Sequence, residues 1–167
     1  GGVISRYADD VVFSFTEKSE ADRFFNEVKE RLAFYNLEMN EEKSNKIDFS
    51  SKGGMIFSFL NFTFYWCTDR GSSKKRLRIK TKRERLNKAI VEVNTWLKEN
   101  RNRYVTDKIW NHTKSILRGH YNYFGLDCNR PKLVHFYYEV NGLLYKWLNR
   151  RSQRKSINGA KFKRMLL

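Results

Sequence analysis

The sequence predicts an α+β protein with a β-rich first part and a helical second part. Up to about residue 80, short runs of β-branched and aromatic residues alternate with turn residues. From residue 81 onward, apolar residues recur at the three- and four-residue spacing of amphipathic helices. The charge changes as well. Residues 1–67 hold 8 Lys and Arg against 11 Asp and Glu, a net −3, whereas residues 68–167 hold 26 against 7, a net +19. We therefore expect two domains, 1–80 and 81–167.

The first domain is predicted to contain antiparallel strands and one helix. Residues 3–7 and 11–15 are rich in β-formers, and the short segment between them suits a hairpin connection. A helix follows, with a capping-box spacing at Ser19 and Asp22 and a stop at Asn36. The remaining predicted strands are 37–40, 46–49, 55–66 and 77–80, with turns at 51–54 and 68–73.

The second domain is predicted to be a bundle of three amphipathic helices. The first helix spans roughly residues 82–99, and Thr81 and Glu84 have capping-box spacing at its start. The second begins at Thr106. The third follows a loop and carries Pro131 in its first turn, where the missing N–H costs nothing. A basic tail, residues 150–164, comes after the third helix.

Composition narrows the classes of function. The formal net charge is +16 and the isoelectric point is about 10.0, which favours a polyanionic partner over an acidic substrate. The alternative is a solvated lysine-rich surface. Cys67 and Cys128 form no metal-ligand pattern, which suggests free thiols in a reducing compartment. No apolar run approaches the ~18 residues of a membrane span, and we expect no membrane partner. Since Gly1 leads directly into strand-like sequence, we expect the chain to begin inside a longer gene product.

Two adjacent carboxylates, Asp9 and Asp10, lie between the first two predicted strands. Neighbouring side chains on a strand point to opposite faces, so only a tight turn lets the two converge. A divalent cation relieves the repulsion between paired carboxylates. The alternative is a polar turn without a ligand, since Asp is a common turn residue.

The longer string Arg6-Tyr7-Ala8-Asp9-Asp10-Val11-Val12 resembles the Tyr-Ala-Asp-Asp box of reverse transcriptases, in particular those of bacterial group II introns, also called maturases. The resemblance implies that Asp9 and Asp10 are catalytic ligands of Mg²⁺ on the palm hairpin. It also implies a further palm aspartate upstream of Gly1.

Two more segments of the first domain resemble this family. Residues 37–44 resemble a palm segment whose lysine lies near the nucleotide phosphates, which implies a catalytic role for Lys43. Residues 57–62 resemble the segment that grips the primer, which implies primer contacts for Phe59, Leu60 and Asn61. Asn61 replaces the usual glycine, and because Asn tolerates the left-handed backbone, we expect the turn to survive.

The helical domain resembles the thumb, or domain X, of the same reverse transcriptases, on residues 117–125 and 146–156. Gly159 stands where relatives often carry Trp. Arginine binds phosphates in a bidentate manner, and aromatic rings stack on bases. As alternatives, His120 is a polar surface residue, Tyr123 and Phe124 pack in the bundle, and the basic tail is a solvated helix end. The implied RNA-binding residues are Arg118, His120, Tyr121, Arg150, Arg151, Arg154 and Lys155.

The resemblance implies a partial reverse-transcriptase palm followed by a three-helix thumb, part of a bacterial cytoplasmic RNA-directed DNA polymerase. Its partners would be intron RNA, RNA/DNA primer-template and deoxynucleotides, and the chain alone would bind RNA without polymerising. Two alternatives remain: a non-catalytic RNA-binding and splicing module, and a related reverse transcriptase recruited to CRISPR or another host system.

Overall fold

The structure is a computed structural model that describes residues 1–40, 42–50, 55–69, 71–151 and 157–166. Its class is α+β, as predicted, with two small antiparallel sheets and a predominance of helix. The strands of the described residues are β1 (Val3–Tyr7), β2 (Asp10–Ser14), β3 (Phe57–Phe59), β4 (Phe62–Thr68) and β5 (Lys75–Thr81). The helices of the same residues are α1 (Lys18–Phe34), α2 (Arg83–Asn100), α3 (Thr106–Phe124), α4 (Arg130–Leu148) and α5 (Gly159–Leu166), with a short 3-10 turn before α4.

The chain divides into two compact units. Unit 1 comprises residues 1–60 and 64–76, and unit 2 comprises residues 61–63 and 77–167. The boundary predicted at residues 80 and 81 lies close to the point where the chain leaves unit 1, between Arg76 and Leu77. Strand β1 pairs with β2, and the second sheet has the order β3-β4-β5.

Unit 1 begins with the β1–β2 hairpin and α1. The hairpin is antiparallel, with Val3 opposite Ser14 and Tyr7 opposite Asp10. The ring of Phe24 on α1 lies 4.6 Å from that of Phe13 and 5.2 Å from that of Phe15. None of the hydrophobic residues described in unit 1 is fully buried, so these ring contacts leave much of its apolar surface exposed.

Several local predictions for unit 1 are wrong. Helix α1 begins after Glu17 and makes no side-chain capping bond, so Ser19 lies inside the helix instead of capping it. Residues 37–40 and 46–49 are irregular, and in the described part of the chain neither segment pairs with a strand. The predicted strand 55–66 is instead a hairpin formed by β3 and β4. The predicted turn at 51–54 lies outside the described residues.

Unit 2 is built around α4, against which both α2 and α3 pack. The predicted helices are confirmed: α2 spans Arg83–Asn100, α3 begins at Thr106, and Pro131 lies in the first turn of α4. None of the described helices combines the length and the apolar composition that crossing a bilayer requires. The core consists of residues that recur at helical spacing along these elements, namely Leu86, Ala89, Val93, Leu97, Ile109, Phe136, Val140, Leu144, Trp147 and Leu148.

The capping box predicted at Thr81 is wrong, because Thr81 is the buried last residue of β5 and makes a different set of contacts. Asn129, also buried, bonds to it twice. The backbone N–H of Thr81 donates to Asn129 Oδ1 at 2.8 Å, and Asn129 Nδ2 donates to Thr81 Oγ1 at 2.8 Å. Asn129 Nδ2 also donates to the carbonyl of Phe124 at 2.9 Å, which ties the end of α3 to β5.

The basic tail contains a helix that the sequence interpretation did not foresee. In α5, Phe162 is buried and its ring lies 5.1 Å from Tyr145 and 6.1 Å from Trp110. The basic residues of α5 occupy its exposed face. The tail is therefore an amphipathic element anchored to the bundle by the buried ring of Phe162 and, in addition, by Leu166.

Candidate functional site

The two aspartates lie at the tip of the β1–β2 hairpin. Tyr7 pairs with Asp10, so Ala8 and Asp9 form a two-residue turn. Ala8 has a φ of +51°, in the left-handed region that non-glycine residues seldom adopt. Arg6 Nε donates to the carbonyl of Ala8 at 3.0 Å and braces the turn. Both carboxylates are exposed, so they are accessible to a cation.

The carboxylate oxygens at this hairpin are ligands of the type that magnesium binds. Mg²⁺ prefers oxygen ligands and is commonly held by one or two carboxylates together with several waters. Asp9 and Asp10 supply two such carboxylates. Among the described residues, the hairpin included, no group of three or more His, Cys, Asp or Glu side chains is close enough to hold a metal ion. The hairpin therefore offers two carboxylates, and any further ligands would come from water or from another part of the protein.

Lys43 and the primer-grip residues lie in two other turns. The backbone N–H of Lys43 donates to Asn40 Oδ1 at 3.1 Å, and the side chain of Lys43 is exposed. Leu60 and Asn61 connect β3 to β4, with φ values of +49° and +64°. Two successive left-handed residues are typical of a type I′ hairpin turn, so the expectation that the turn survives with Asn61 is confirmed. The roles in phosphate and primer binding stay predictions.

The net positive charge belongs entirely to unit 2. Unit 1 holds 12 Lys and Arg against 12 Asp and Glu, whereas unit 2 holds 22 against 6, a net +16. One-to-one pairing within unit 2 therefore leaves at least 16 basic side chains without an acidic partner in that unit. Such an excess attracts a polyanion.

One face of α3 is polar and exposed, with Asp107 in the first turn as its one acidic residue. Arg118 lies on it, three and four residues from its neighbours along the face, which is helical spacing. The other residues of this face were not identified from the sequence, although their three- and four-residue spacing predicts that they share one side of a helix. The α3 face comprises Lys108, Asn111, Ser115, Arg118 and Asn122. Cations suit phosphates, and amides and hydroxyls suit the hydrogen-bonding edges of bases and sugars.

His120 is buried, not a polar surface residue, and this interpretation of the sequence is wrong. Its ring is stacked on Phe136 at 3.8 Å and tilted against Phe124 at 4.6 Å, and among the described residues its Nε2 has no hydrogen-bond partner. Burial, together with the positive charge of Arg85, lowers the pKa of His120 to about 4. The imidazole is therefore neutral at pH 7.

The aromatic residues around His120 differ in exposure. Tyr121 is half-buried, and burial followed by the influence of Tyr137 raises its pKa. Phe124 is buried in the bundle, as one of the sequence alternatives held. Tyr123 is 50% exposed and its ring stacks on that of Phe62 at 5.9 Å. Of this segment, Tyr123 offers the most accessible ring.

The basic residues after α4 have different environments. Arg150 is exposed, and its guanidinium lies 5.5 Å from the ring centre of Trp147. Arg151 is held inside unit 2: Nη1 donates to Thr106 Oγ1 at 2.7 Å and Nη2 donates to the carbonyl of Tyr104 at 2.9 Å. Arg151 thus joins the end of α4 to the start of α3. The predicted RNA contacts Arg154 and Lys155 lie outside the described residues.

Comparison with known proteins finds no match to a family model, a curated protein or a solved structure. The interpretation of both sites therefore rests on the residues and their geometry.

Proposed function

We propose that this chain is part of a bacterial, cytoplasmic RNA-directed DNA polymerase that resembles group II intron reverse transcriptases, with unit 1 as a partial palm and unit 2 as the thumb or domain X. One observation carries the proposal. The string Tyr7-Ala8-Asp9-Asp10 occupies the turn of an antiparallel hairpin, with both carboxylates exposed. A two-residue hairpin turn requires a left-handed residue with or without a ligand, so the backbone of Ala8 does not decide between the two, and the proposal rests on the string and its exposed carboxylates.

The roles of the residues follow from their chemistry. Asp9 and Asp10 would hold Mg²⁺, which when bound activates the primer hydroxyl and neutralises charge on the phosphates. Arg6 fixes the turn through its bond to the Ala8 carbonyl, so the two carboxylates keep a defined position. Lys43 would bind the nucleotide phosphates, and the Leu60–Asn61 turn would contact the primer. Unit 2 would hold the nucleic acid through its excess of 16 positive charges.

Primer extension on an RNA template tests the catalytic proposal, using the full-length protein that contains this chain. We expect Asp9→Ala and Asp10→Ala each to lower the rate of DNA synthesis by about 100-fold or more, since each removes a charge that stabilises the transition state through the metal. Glu27→Ala is the control, because Glu27 is an exposed carboxylate on α1. Undiminished synthesis by both aspartate variants would refute the assignment.

The charge of unit 2 supports a second candidate function, an RNA-binding module that assists folding and splicing without the carboxylates. Each phosphate contact releases counterions, so affinity falls steeply with salt. With six or more contacts, we expect the affinity of the chain for RNA to fall at least about 100-fold between 50 and 200 mM salt. An affinity that stays flat over this range would contradict RNA binding through phosphates.

A further inference from the structure

An open groove of about 550 Å³ lies between α2 and α3 in unit 2. It exists because α2 and α3 both pack against α4 and make little contact with each other. Its volume lies within the ~300–1,000 Å³ typical of small-molecule sites. The side chains of the groove that carry the argument are those of Arg85, Glu92, Trp96, His112, His120 and Tyr123, and Gly119 also lines it.

Accessible aromatic rings form the sides of the groove. The indole of Trp96 and the imidazole of His112 stack with their centres 3.9 Å apart. Tyr123 presents a half-exposed ring that is held in place by Phe62. Rings with a fixed orientation and an accessible face are the platforms on which proteins stack unpaired bases.

A buried ring nitrogen of the groove residue His120 is unpaired within the part of the chain that the structure describes. His120 is 9% exposed, and its Nε2 makes no hydrogen bond within the described structure. Because the ring is neutral at pH 7, its two nitrogens comprise one donor and one acceptor. An unsatisfied buried polar atom is costly, and a planar ligand with hydrogen-bonding groups on its edge could satisfy it.

Two charged groups of opposite sign also line the groove. Arg85 Nη1 lies 3.7 Å from Glu92 Oε2, and both side chains are more than one-third exposed. The guanidinium can bind a phosphate, and the carboxylate can accept a hydrogen bond from the exocyclic amine of a base. The positive charge of unit 2 favours an anionic ligand over a cationic or neutral one.

We propose that the α2–α3 groove binds one unpaired nucleobase, supplied by an RNA strand whose backbone follows the basic surface of unit 2. The base would stack on the rings of Trp96, His112 or Tyr123, with its edge toward His120. This inference rests on the proposed binding of RNA and adds a site specific for unpaired bases.

Two helical glycines give a matched pair of variants. A Cβ at Gly119, which lines the groove, or at Gly142, on α4 outside it, would meet no atom within 4 Å. The Cβ of a leucine at either position therefore meets no clash, and leucine improves helix propensity. Only Gly119→Leu places a side chain in the groove.

Fluorescence anisotropy would measure binding of the whole chain to a single-stranded RNA of about 12 nucleotides and to a duplex of the same length. We expect Gly119→Leu to weaken single-strand binding about 5- to 100-fold, the range for loss of one stacked base, and to leave duplex binding within about twofold of wild type. Gly142→Leu should leave both affinities unchanged. Thermal unfolding of both variants establishes that each is folded.

The outcomes separate this inference from the function on which it rests. If wild type fails to bind either RNA at low salt, the proposed RNA binding is wrong. If wild type binds both RNAs and Gly119→Leu behaves like Gly142→Leu, the groove inference is wrong and RNA binding stands. Equal losses for single strand and duplex, or a self-association that depends on Gly119, would also overturn the groove inference. Titration with nucleoside monophosphates tests whether the bound base belongs to an RNA strand or to a free nucleotide. Tight binding that depends on Gly119 would confirm a nucleobase site but would assign it to free nucleotides, which overturns the RNA source.

Discussion

The imidazole of His120 lies between the rings of Phe124 and Phe136, where a positive charge is unfavourable. Its pKa is about 4 in the folded protein against an ordinary value of 6.5, so the unfolded chain takes up the proton more readily. The stabilisation due to this group is therefore complete above pH 6.5 and is lost as the pH falls toward 4. The residue type alone does not predict this lowered pKa, because the rings of Phe124 and Phe136 that enclose the imidazole belong to different helices.

As the pH falls from 6.5 to 4, we expect the lowered pKa of His120 to reduce the free energy of unfolding of the chain by about 2 kcal/mol. His120→Phe should remove that part of the pH dependence, whatever its effect on absolute stability. Urea denaturation at a series of pH values measures the difference. His135→Asn is the control, since His135 is exposed on α4. A pH profile of His120→Phe that parallels wild type would contradict the assignment.

The turn residues show where residue type was informative and where it was not. Asn61 was expected to tolerate a left-handed backbone, and it adopts φ +64°. Leu60 adopts φ +49° in the same turn, although leucine has no preference for that region. The hairpin geometry of β3 and β4 requires a positive φ at both residues, so the left-handed backbone of Leu60 could be found only from the folded structure.

At the scale of elements, Arg151 links the end of α4 to the start of α3 through two hydrogen bonds. We expect Arg151→Lys to lower the free energy of unfolding by about 1 to 2 kcal/mol, because a lysine ammonium cannot make both bonds in the guanidinium geometry. Arg150→Lys, at an exposed neighbouring position, should change stability by less than about 0.5 kcal/mol. Chemical denaturation compares the two, and equal effects would show that the paired bonds contribute nothing.

Helical periodicity predicted both ends of α2 and the start of α3 within about one residue, because a continuous apolar stripe must face α4. The capping boxes failed for a different reason. Thr81 has the right type and spacing for a cap, but Asn129, 48 residues away, holds it in β5. Local sequence contains no sign of that partner. The groove between α2 and α3 was equally inaccessible to sequence reasoning, since it depends on how two helices are spaced on a third.

At the scale of the whole molecule, the charge asymmetry seen in the sequence persists between the two structural units. Unit 1 has no net charge and unit 2 carries +16. Apolar burial follows the same division, because every fully buried hydrophobic residue among those described belongs to unit 2. The unit that contains the carboxylate hairpin is thus neutral and poorly buried, whereas the unit with the folded core has the charge suited to a polyanion.

We expect RNA affinity to depend on cations of unit 2 and not on those of unit 1. Arg118→Gln removes an exposed charge from the α3 face and should lower the salt dependence of binding by about one phosphate contact. Arg23→Gln removes an exposed charge from α1 and should change neither affinity nor salt slope. Titrations at several salt concentrations measure both. A larger effect from Arg23 would contradict the assignment of the interface to unit 2.

The anchoring of α5 through Phe162 has a consequence for local motion. An eight-residue helix is too short to persist by itself in water, so α5 remains helical only while its apolar side chains, Phe162 and Leu166, stay against the bundle. Release of these two side chains is then enough to open the whole element while α4 remains folded. The amide hydrogens of α5 should therefore exchange with deuterated solvent through local opening, well before those of α4, which require the bundle itself to open.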